Sequence, residues 1–336
     1  MRGSNLDRIT LAHGGGGAKT ERLIRDVFQR HLKDPILREM DDGALLEEGL
    51  VFSTDSFVVN PLVFPGGDIG RLAVSGTVND LAVMGAEPRY LSLGFILEEG
   101  LEVSLLERIV KSIGETGAEA GVRIVAGDTK VVERGKADGL FVNSSGIGKL
   151  ILHPPPRRER LEPGDLILIN GPLGLHGMAI LLARGELGLE AEVESDVAPL
   201  WSLIKPLLSP GIGIKFMRDP TRGGLAAVLN EAAEGMNFGI RIWEEALPIT
   251  EEVEAICEVL GFDPLQLPNE GKVLIFAKRE GAEEILEKMR DHPLGREAAV
   301  IGEVIGEHPG KVLLKTRAST HRIVEPPLGE LLPRIC

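Results

Sequence analysis

Val78-Asn79-Asp80-Leu81-Ala82-Val83-Met84-Gly85-Ala86 closes a segment, Ile69 to Met84, that is almost wholly small and apolar. That composition predicts a helix buried on most sides, not an amphipathic surface helix. Asn79 and Asp80 stand out within it, because an ionised carboxylate in such a helix needs a partner or a metal.

Working outward, an apolar strand before this helix, Leu50 to Ser56, ends in Thr54-Asp55-Ser56. A strand over Tyr90 to Leu97 and a helix over Val103 to Ala120 follow it. Then comes Val122 to Val132, which carries Gly127-Asp128-Thr129-Lys130. Each of Asp55, Asp80 and Asp128 alone reads as a turn or cap residue. Together they are hard oxygen ligands of the kind that suits Mg²⁺ and its substrate phosphates. Upstream, His13-Gly14-Gly15-Gly16-Gly17-Ala18-Lys19 precedes a helix predicted over Thr20 to Leu32, with Leu23, Ile24, Val27, Phe28 and Leu32 on one apolar face. Glycines before a helix either free backbone N–H groups for a phosphate or form a plain leader loop. The strand Leu140 to Lys149 closes this half, and His153-Pro154-Pro155-Pro156-Arg157-Arg158 reads as a junction.

The second half opens with the strand Leu166 to Asn170 and a helix that runs to about Ala183, with His176 near its start read as structural. Asp219-Pro220-Thr221-Arg222-Gly223-Gly224 precedes a helix from Leu225 to about Gly235 and forms either a cap or an anion nest, with Arg222 favouring the anion. Strands are expected over Gly239 to Trp243, Lys272 to Ala277, Ala299 to Val304 and Val312 to Leu314, with helices over Glu251 to Leu260 and Ala282 to Met289. Glu270, in Asn269-Glu270-Gly271-Lys272, is either a surface charge or a placed base.

A chain of 336 residues with 43% apolar and 26% charged residues fits two globular domains. The formal charge of −14 argues against non-specific nucleic-acid binding. No apolar run approaches bilayer length, and the first residues lack a signal core, so neither membrane nor export is expected. The two cysteines, Cys257 and Cys336, offer no disulfide framework or zinc spacing, which suits the cytoplasm. Cys257 reads as an inert core thiol. The last stretch, Glu325 to Cys336, is rich in proline and reads as an extended, mobile arm. By itself it fits a frayed end better than a carrier arm.

The order of the glycine, Thr-Asp-Ser, Asn-Asp, Gly-Asp-Thr-Lys and Asp-Pro-Thr-Arg-Gly-Gly motifs resembles the ATP-dependent superfamily of aminoimidazole ribonucleotide synthetase, selenophosphate synthetase and thiamine-monophosphate kinase. Within it, Asn269-Glu270-Gly271-Lys272 and Pro333-Arg334-Ile335-Cys336 resemble the HypE family of hydrogenase maturation factors. The resemblance implies two α/β domains, at 1–152 and 160–318, with a flexible tail at 319–336. It also implies a homodimer in which the first domains pair into a β-barrel. The implied reaction is ATP-dependent dehydration of an S-carbamoyl group on Cys336 to a thiocyanate. The carbamoyltransferase HypF would load the thiol, and the HypC–HypD complex would accept cyanide for the iron of [NiFe]-hydrogenase. Asp55, Asp80 and Asp128 would then hold Mg²⁺. His13, Gly14, Gly15, Gly16, Gly17, Asn79, Thr129, Arg222, Gly223 and Gly224 would bind ATP. Lys130 would stabilise charge on the leaving oxygen, and Glu270 would be the base for the amide nitrogen. A kinase or synthetase acting on a free small molecule, or a non-catalytic nucleotide-binding scaffold, would not need the thiol.

Overall fold

Two mixed sheets carry the chain, and the long buried helix lies between them. The computed structural model describes residues 8–15, 17–185, 187–189, 191–209, 211–327, 332 and 334–336. The first sheet contains β1 (Ala44–Leu45), β2 (Leu50–Phe57), β3 (Ala86–Glu98), β4 (Arg123–Val132) and β5 (Leu140–Leu150), in the order β1-β2-β5-β3-β4. Only β3 and β4 run parallel within it. One face is covered by α1 (Ile69–Val83) and α2 (Val103–Ala120). Along β5 the alternation is regular, with Leu140, Val142 and Ser144 turned inward and Asn143 and Ile147 outward.

The opposite face of this sheet is open. Phe52, Ile147 and Tyr90 sit in one register row on it, and all three are exposed. The edge strand β4 is exposed along nearly its whole length, so the sheet does not close within the chain.

The second sheet contains β6 (Leu166–Ile169), β7 (Ile214–Arg218), β8 (Gly239–Trp243), β9 (Leu274–Ala277), β10 (Ala299–Ile305), β11 (Val312–Lys315) and β12 (His321–Ile323), in the order β12-β11-β8-β10-β6-β9-β7. Its strands β6 and β9 are wholly buried and divide by parity between two cores. Ile167, Ile169, Leu274 and Phe276 pack with α4 (Gly224–Ala233). Leu166, Leu168, Ile275 and Ala277 join a cluster with α3 (Leu175–Ala183), α5 (Glu251–Leu260) and α6 (Arg279–Arg290). That second cluster continues into Ile69, Leu72 and Val78 of α1, so one apolar core spans both halves. This explains why α1 has no polar stripe. Its N-terminus is capped by Asp68, whose Oδ1 accepts from the Gly70 and Arg71 amides. Arg71 Nε donates to the Val197 carbonyl at 2.9 Å, fixing the far domain to the helix.

Several expectations need correction. The helix expected over Thr20 to Leu32 is Ala18–Leu23, a π-turn Ile24–Phe28 and Gln29–His31. The apolar face read onto it is largely exposed at Val27, Phe28 and Leu32, because no layer among the described residues covers it. The junction at His153 to Arg158 is stitched down. Arg157 pairs with Glu39 and Asp41, and Arg158 donates to the Glu231 carbonyl at 2.6 Å. The strand expected from Lys272 begins at Leu274, because Gly271 and Lys272 belong to a clasped turn.

Over its described residues, the stretch expected to be a mobile tail holds a strand and docked side chains. His321–Ile323 is a strand of the second sheet. Leu332 and Ile335 are 5% and 2% exposed and pack into the shared core. Cys257 is a buried free thiol whose pKa is pushed up to about 11, chiefly by burial and then by Asp263. Among the described residues no helix is long and apolar enough to cross a membrane.

Candidate active site

Acidic side chains converge where the two domains meet. Asp42 precedes β1, Asp80 sits in the last turn of α1, and Asp219 follows β7. A carboxylate oxygen from each lies within 4.8 Å of the other two. Ser53 Oγ on β2 donates to Asp80 Oδ2 at 2.5 Å. Arg218 reaches Asp42 at 2.9 Å and Glu231 at 3.1 Å. Burial first, then the charges of Asp219, Asp42 and Asp55, push the Asp80 carboxyl well above its usual range. Burial is also the largest cause for Asp219, whose pKa rises to about 6 even though Arg218 opposes the shift. Asp55 is raised by burial as well, against Arg222 and the Ser56 amide.

Carboxylates held this close resist joint ionisation unless a cation joins them. Hard oxygens at such spacing suit a divalent ion of the Mg²⁺ type.

Glu270 closes another side of the cluster. It is 3% exposed, and its carboxyl is pushed far up by burial, then by Asp55, Asp219 and Asp196, with Arg222 opposing. Its backbone is fixed from several directions. Asp196 accepts the Glu270 amide at 3.1 Å, the Gly271 amide at 3.2 Å and the Lys272 ammonium at 3.0 Å. Asn269 Oδ1 accepts the Gly174 amide at 2.7 Å, and its Nδ2 donates to the Pro220 carbonyl at 2.9 Å.

Gly271 lies so close to this clasp that a Cβ there would overlap the Asp196 carbonyl oxygen. Gly271→Ala should therefore lower the melting temperature by several degrees, corresponding to roughly 1–3 kcal/mol. A thermal melt within a degree of the unsubstituted chain would show that the turn yields more freely than its packing implies.

The glycine-rich segment meets the second domain at α4. Arg222 Nη1 donates to the Gly14 carbonyl at 3.1 Å. Gly223 and Gly224 both take positive φ, +76° and +60°, which turns the chain into the helix N-terminus at a position L side chains avoid. A cavity of about 690 Å³ opens here, with His13, Gly14, Ser56, Arg222 and Cys336 on its wall. The chain end is docked into that wall, where the Cys336 carbonyl accepts the Val58 amide at 2.9 Å.

Asp55 raises both Asp80 and Glu270, Arg222 opposes the shifts of Asp55 and Glu270, and His13, Gly14, Arg222 and Cys336 line one cavity. Gly15 is buried nearby in sequence, while Gly17 is covered by Pro327 of the chain's last stretch. Gly16 lies outside the described residues.

Other expected site residues lie elsewhere or are otherwise engaged. Asn79 is a clasp between domains, its Nδ2 donating to the Ala198 carbonyl at 3.1 Å and its Oδ1 accepting the Leu200 amide at 2.7 Å. Those bonds span the domain interface. Asp128 is absent from the acidic cluster. It stands with Thr129 and Lys130 on the exposed edge strand β4, where Lys130 Nζ pairs with it at 2.7 Å and is the main cause of its lowered pKa.

Residues 40–150 match the AIR synthase related protein N-terminal domain, and residues 162–315 match the C-terminal domain of the same group. Carbamoyl dehydratase HypE of Rhodobacter capsulatus is 49% identical over 339 residues, covering 98% of each chain. The chain belongs to the HypE family. In a crystal structure of a HypE–HypF complex, one chain aligns with a TM-score of 0.87 at 49% identity, covering 91% of this chain and 99% of that one. A crystal structure of HypE in complex with ATP aligns with a TM-score of 0.81 at 46% identity, covering 98% and 100%.

Within this HypE-family chain, Asp42 and Asp196 escaped the sequence reading. Asp42 sits in Asp41-Asp42-Gly43, where paired acids and a glycine just before a strand were a usable signal. Asp219 reads in sequence only as part of a cap or anion nest, and its proximity to Asp80 is wholly tertiary. Asp196 had no local signal, because its partners lie more than seventy residues away.

Proposed function

We propose that this chain uses ATP to dehydrate an S-carbamoyl group carried on Cys336, leaving a thiocyanate whose cyanide serves [NiFe]-hydrogenase maturation. The observation that carries this reading is the seating of Cys336 on the same cavity wall as His13, Gly14 and Arg222, beside the acidic cluster. A thiol needed only for stability has no reason to end beside phosphate-binding geometry.

The C–O bond of a carboxamide breaks poorly because oxide leaves poorly. Phosphorylation of the carbonyl oxygen by ATP lets it depart as phosphate, with ADP the other product, while the nitrogen gives up its two protons as C≡N forms. Glu270 takes one of those protons and solvent takes the other; its raised pKa makes Glu270 a stronger base than an ordinary carboxylate. Arg222 and the paired glycines of α4 offer positive charge and N–H groups to phosphate oxygens. Asp42, Asp80 and Asp219, with Asp55 beside them, are the residues fitted to hold Mg²⁺. When bound, that ion supplies charge neutralisation on the phosphates. Asp128, Thr129 and Lys130 would join the nucleotide only through a homodimer that covers β4 and the open row of Phe52, Ile147 and Tyr90. HypF would supply the carbamoyl group, and HypC–HypD would take the cyanide, in a reducing cytoplasm that suits two cysteines outside any disulfide.

Cys336→Ala should abolish carbamoyl-dependent ATP consumption while leaving the melting curve nearly unchanged. Full ATP turnover in that variant would instead favour a kinase or synthetase working on a free small molecule.

A further inference from the structure

The docked chain end is gripped on two sides. On one side it pairs with Val58 to Asn60. The Val58 amide donates to the Cys336 carbonyl at 2.9 Å, the Asn60 amide to the Arg334 carbonyl at 3.2 Å, and Arg334 Nε to the Val58 carbonyl at 3.1 Å. Arg334 also forms an ion pair with Asp138. Ile335, between these residues, turns its carbonyl the other way and meets His176 Nε2 at 2.8 Å.

His176 is fully buried, and its Nδ1 lies 2.8 Å from Ser195 Oγ. A carbonyl can only accept, so Nε2 carries the proton and Nδ1 accepts from the serine hydroxyl. That hydroxyl oxygen in turn accepts the Val197 amide at 3.1 Å. Phe64 stands edge-on to the imidazole at 5.5 Å and fixes its plane. The ring is kept neutral by burial, against the opposing influence of Asp196 and the bond to Ile335.

We propose that His176 is a positioning residue for the dehydration step: its bond to the Ile335 carbonyl, one residue before Cys336, sets how deep the carried group enters the cavity beside Arg222. This rests on the dehydratase reading given above. Arg184 Nη2 on the Arg334 carbonyl at 2.9 Å and the Arg334–Asp138 ion pair hold Arg334. Beyond it the Val58 amide and His176 hold the main chain, so without His176 the last two residues could shift. A shift of one residue would move the sulfur by about 3.5 Å. Misplacement of a reacting group by about 1 Å can cost on the order of a hundredfold in rate. His176 grips from the side that the pairing leaves open, on a carbonyl whose own side chain is buried, so only one register satisfies both grips. Loading by a separate transferase needs the chain end released, so the same bond favours dehydration without helping loading.

The test uses the full chain, a carbamoyltransferase with carbamoyl phosphate, and mass spectrometry of the Cys336 peptide. His176→Phe keeps the ring volume without a donor, and His176→Gln offers an Nε2 donor at the same reach. In His176→Phe, the carbamoyl adduct should form at least as fast as in the unsubstituted chain, while its ATP-dependent loss of water slows about tenfold. Alkylation of Cys336 by iodoacetamide, with buried Cys257 as internal reference, should quicken several-fold. His176→Gln should recover most of both effects.

Loading and dehydration falling in parallel, or no change in either dehydration or alkylation, would overturn the assignment. Should His176→Phe fail to fold, Asp138→Ala loosens the same chain end from an exposed position. It should raise alkylation and slow dehydration a few-fold, and no change in either would count against the register argument. If the unsubstituted chain itself loses no water with ATP, the dehydratase reading fails, whereas the alkylation contrast still decides whether His176 holds the chain end.

Discussion

Glu270→Gln is expected to load at Cys336 normally yet lose water from the carbamoyl group slower by on the order of 10²–10⁴-fold. The substitution keeps size and hydrogen-bonding capacity and removes the base. Glu270 is buried beside Asp55, Asp219 and Asp196, all of which disfavour its charge. It is therefore protonated over a wider range than a surface glutamate, and the single-turnover rate should climb with pH until its carboxyl ionises. Glu270→Gln should lack that climb. Since burying the charged form costs stability, the variant should melt at an equal or higher temperature above neutral pH, which separates lost chemistry from lost fold. A Glu270→Gln protein that dehydrates at the unsubstituted rate would move the base elsewhere, with Asp55 the nearest alternative by charge.

Asp219→Asn should reduce ATP-dependent turnover by on the order of a hundredfold or more, and stabilise the metal-free protein. The folded Asp219 carboxyl titrates at about 6, against an ordinary value of 3.8. Below pH 3.8 the group is protonated in both states, and its contribution to stability is fully present. As pH rises through about 6 the folded protein must give up a proton it holds more tightly than the unfolded chain does, so stability falls. The melting temperature of Asp219→Asn should therefore match that of the unsubstituted chain at the acid end of this window and exceed it above about pH 6. Adding MgCl₂ should narrow the difference by stabilising only the chain that keeps the carboxylate. A gap that ignores both pH and Mg²⁺ would mean that the cluster neither repels itself nor binds the ion.

What could be read from residues in a row follows from how local each signal is. α1 was legible because an unbroken small and apolar run has one stable destination, a helix covered on most sides, and it was found at Ile69–Val83. Asp80 was legible as a misfit, an acid inside an apolar helix, whereas Glu270 beside a strand entry fitted a surface charge as well as a placed base. The docking of the final residues was not legible because proline and glycine report only on regular structure. They say nothing about a groove between Val58 and His176 that arises when two domains meet. The interdomain bonds of Asn79 were hidden for a related reason. A buried amide needs partners, but the backbone of residues 198–200 supplies them from across the domain interface. The apolar face of residues 23–32 shows the opposite error, since periodicity reveals a face without revealing what covers it.

The central claim is that the group on Cys336 is dehydrated by this chain's own site. The most direct measurement is the mass of the Cys336 peptide after carbamoyl loading, with ATP and MgCl₂, with MgCl₂ alone and with ATP alone. The account predicts an adduct lighter by one water only when ATP and Mg²⁺ are both present. An adduct of unchanged mass under all three conditions would contradict it.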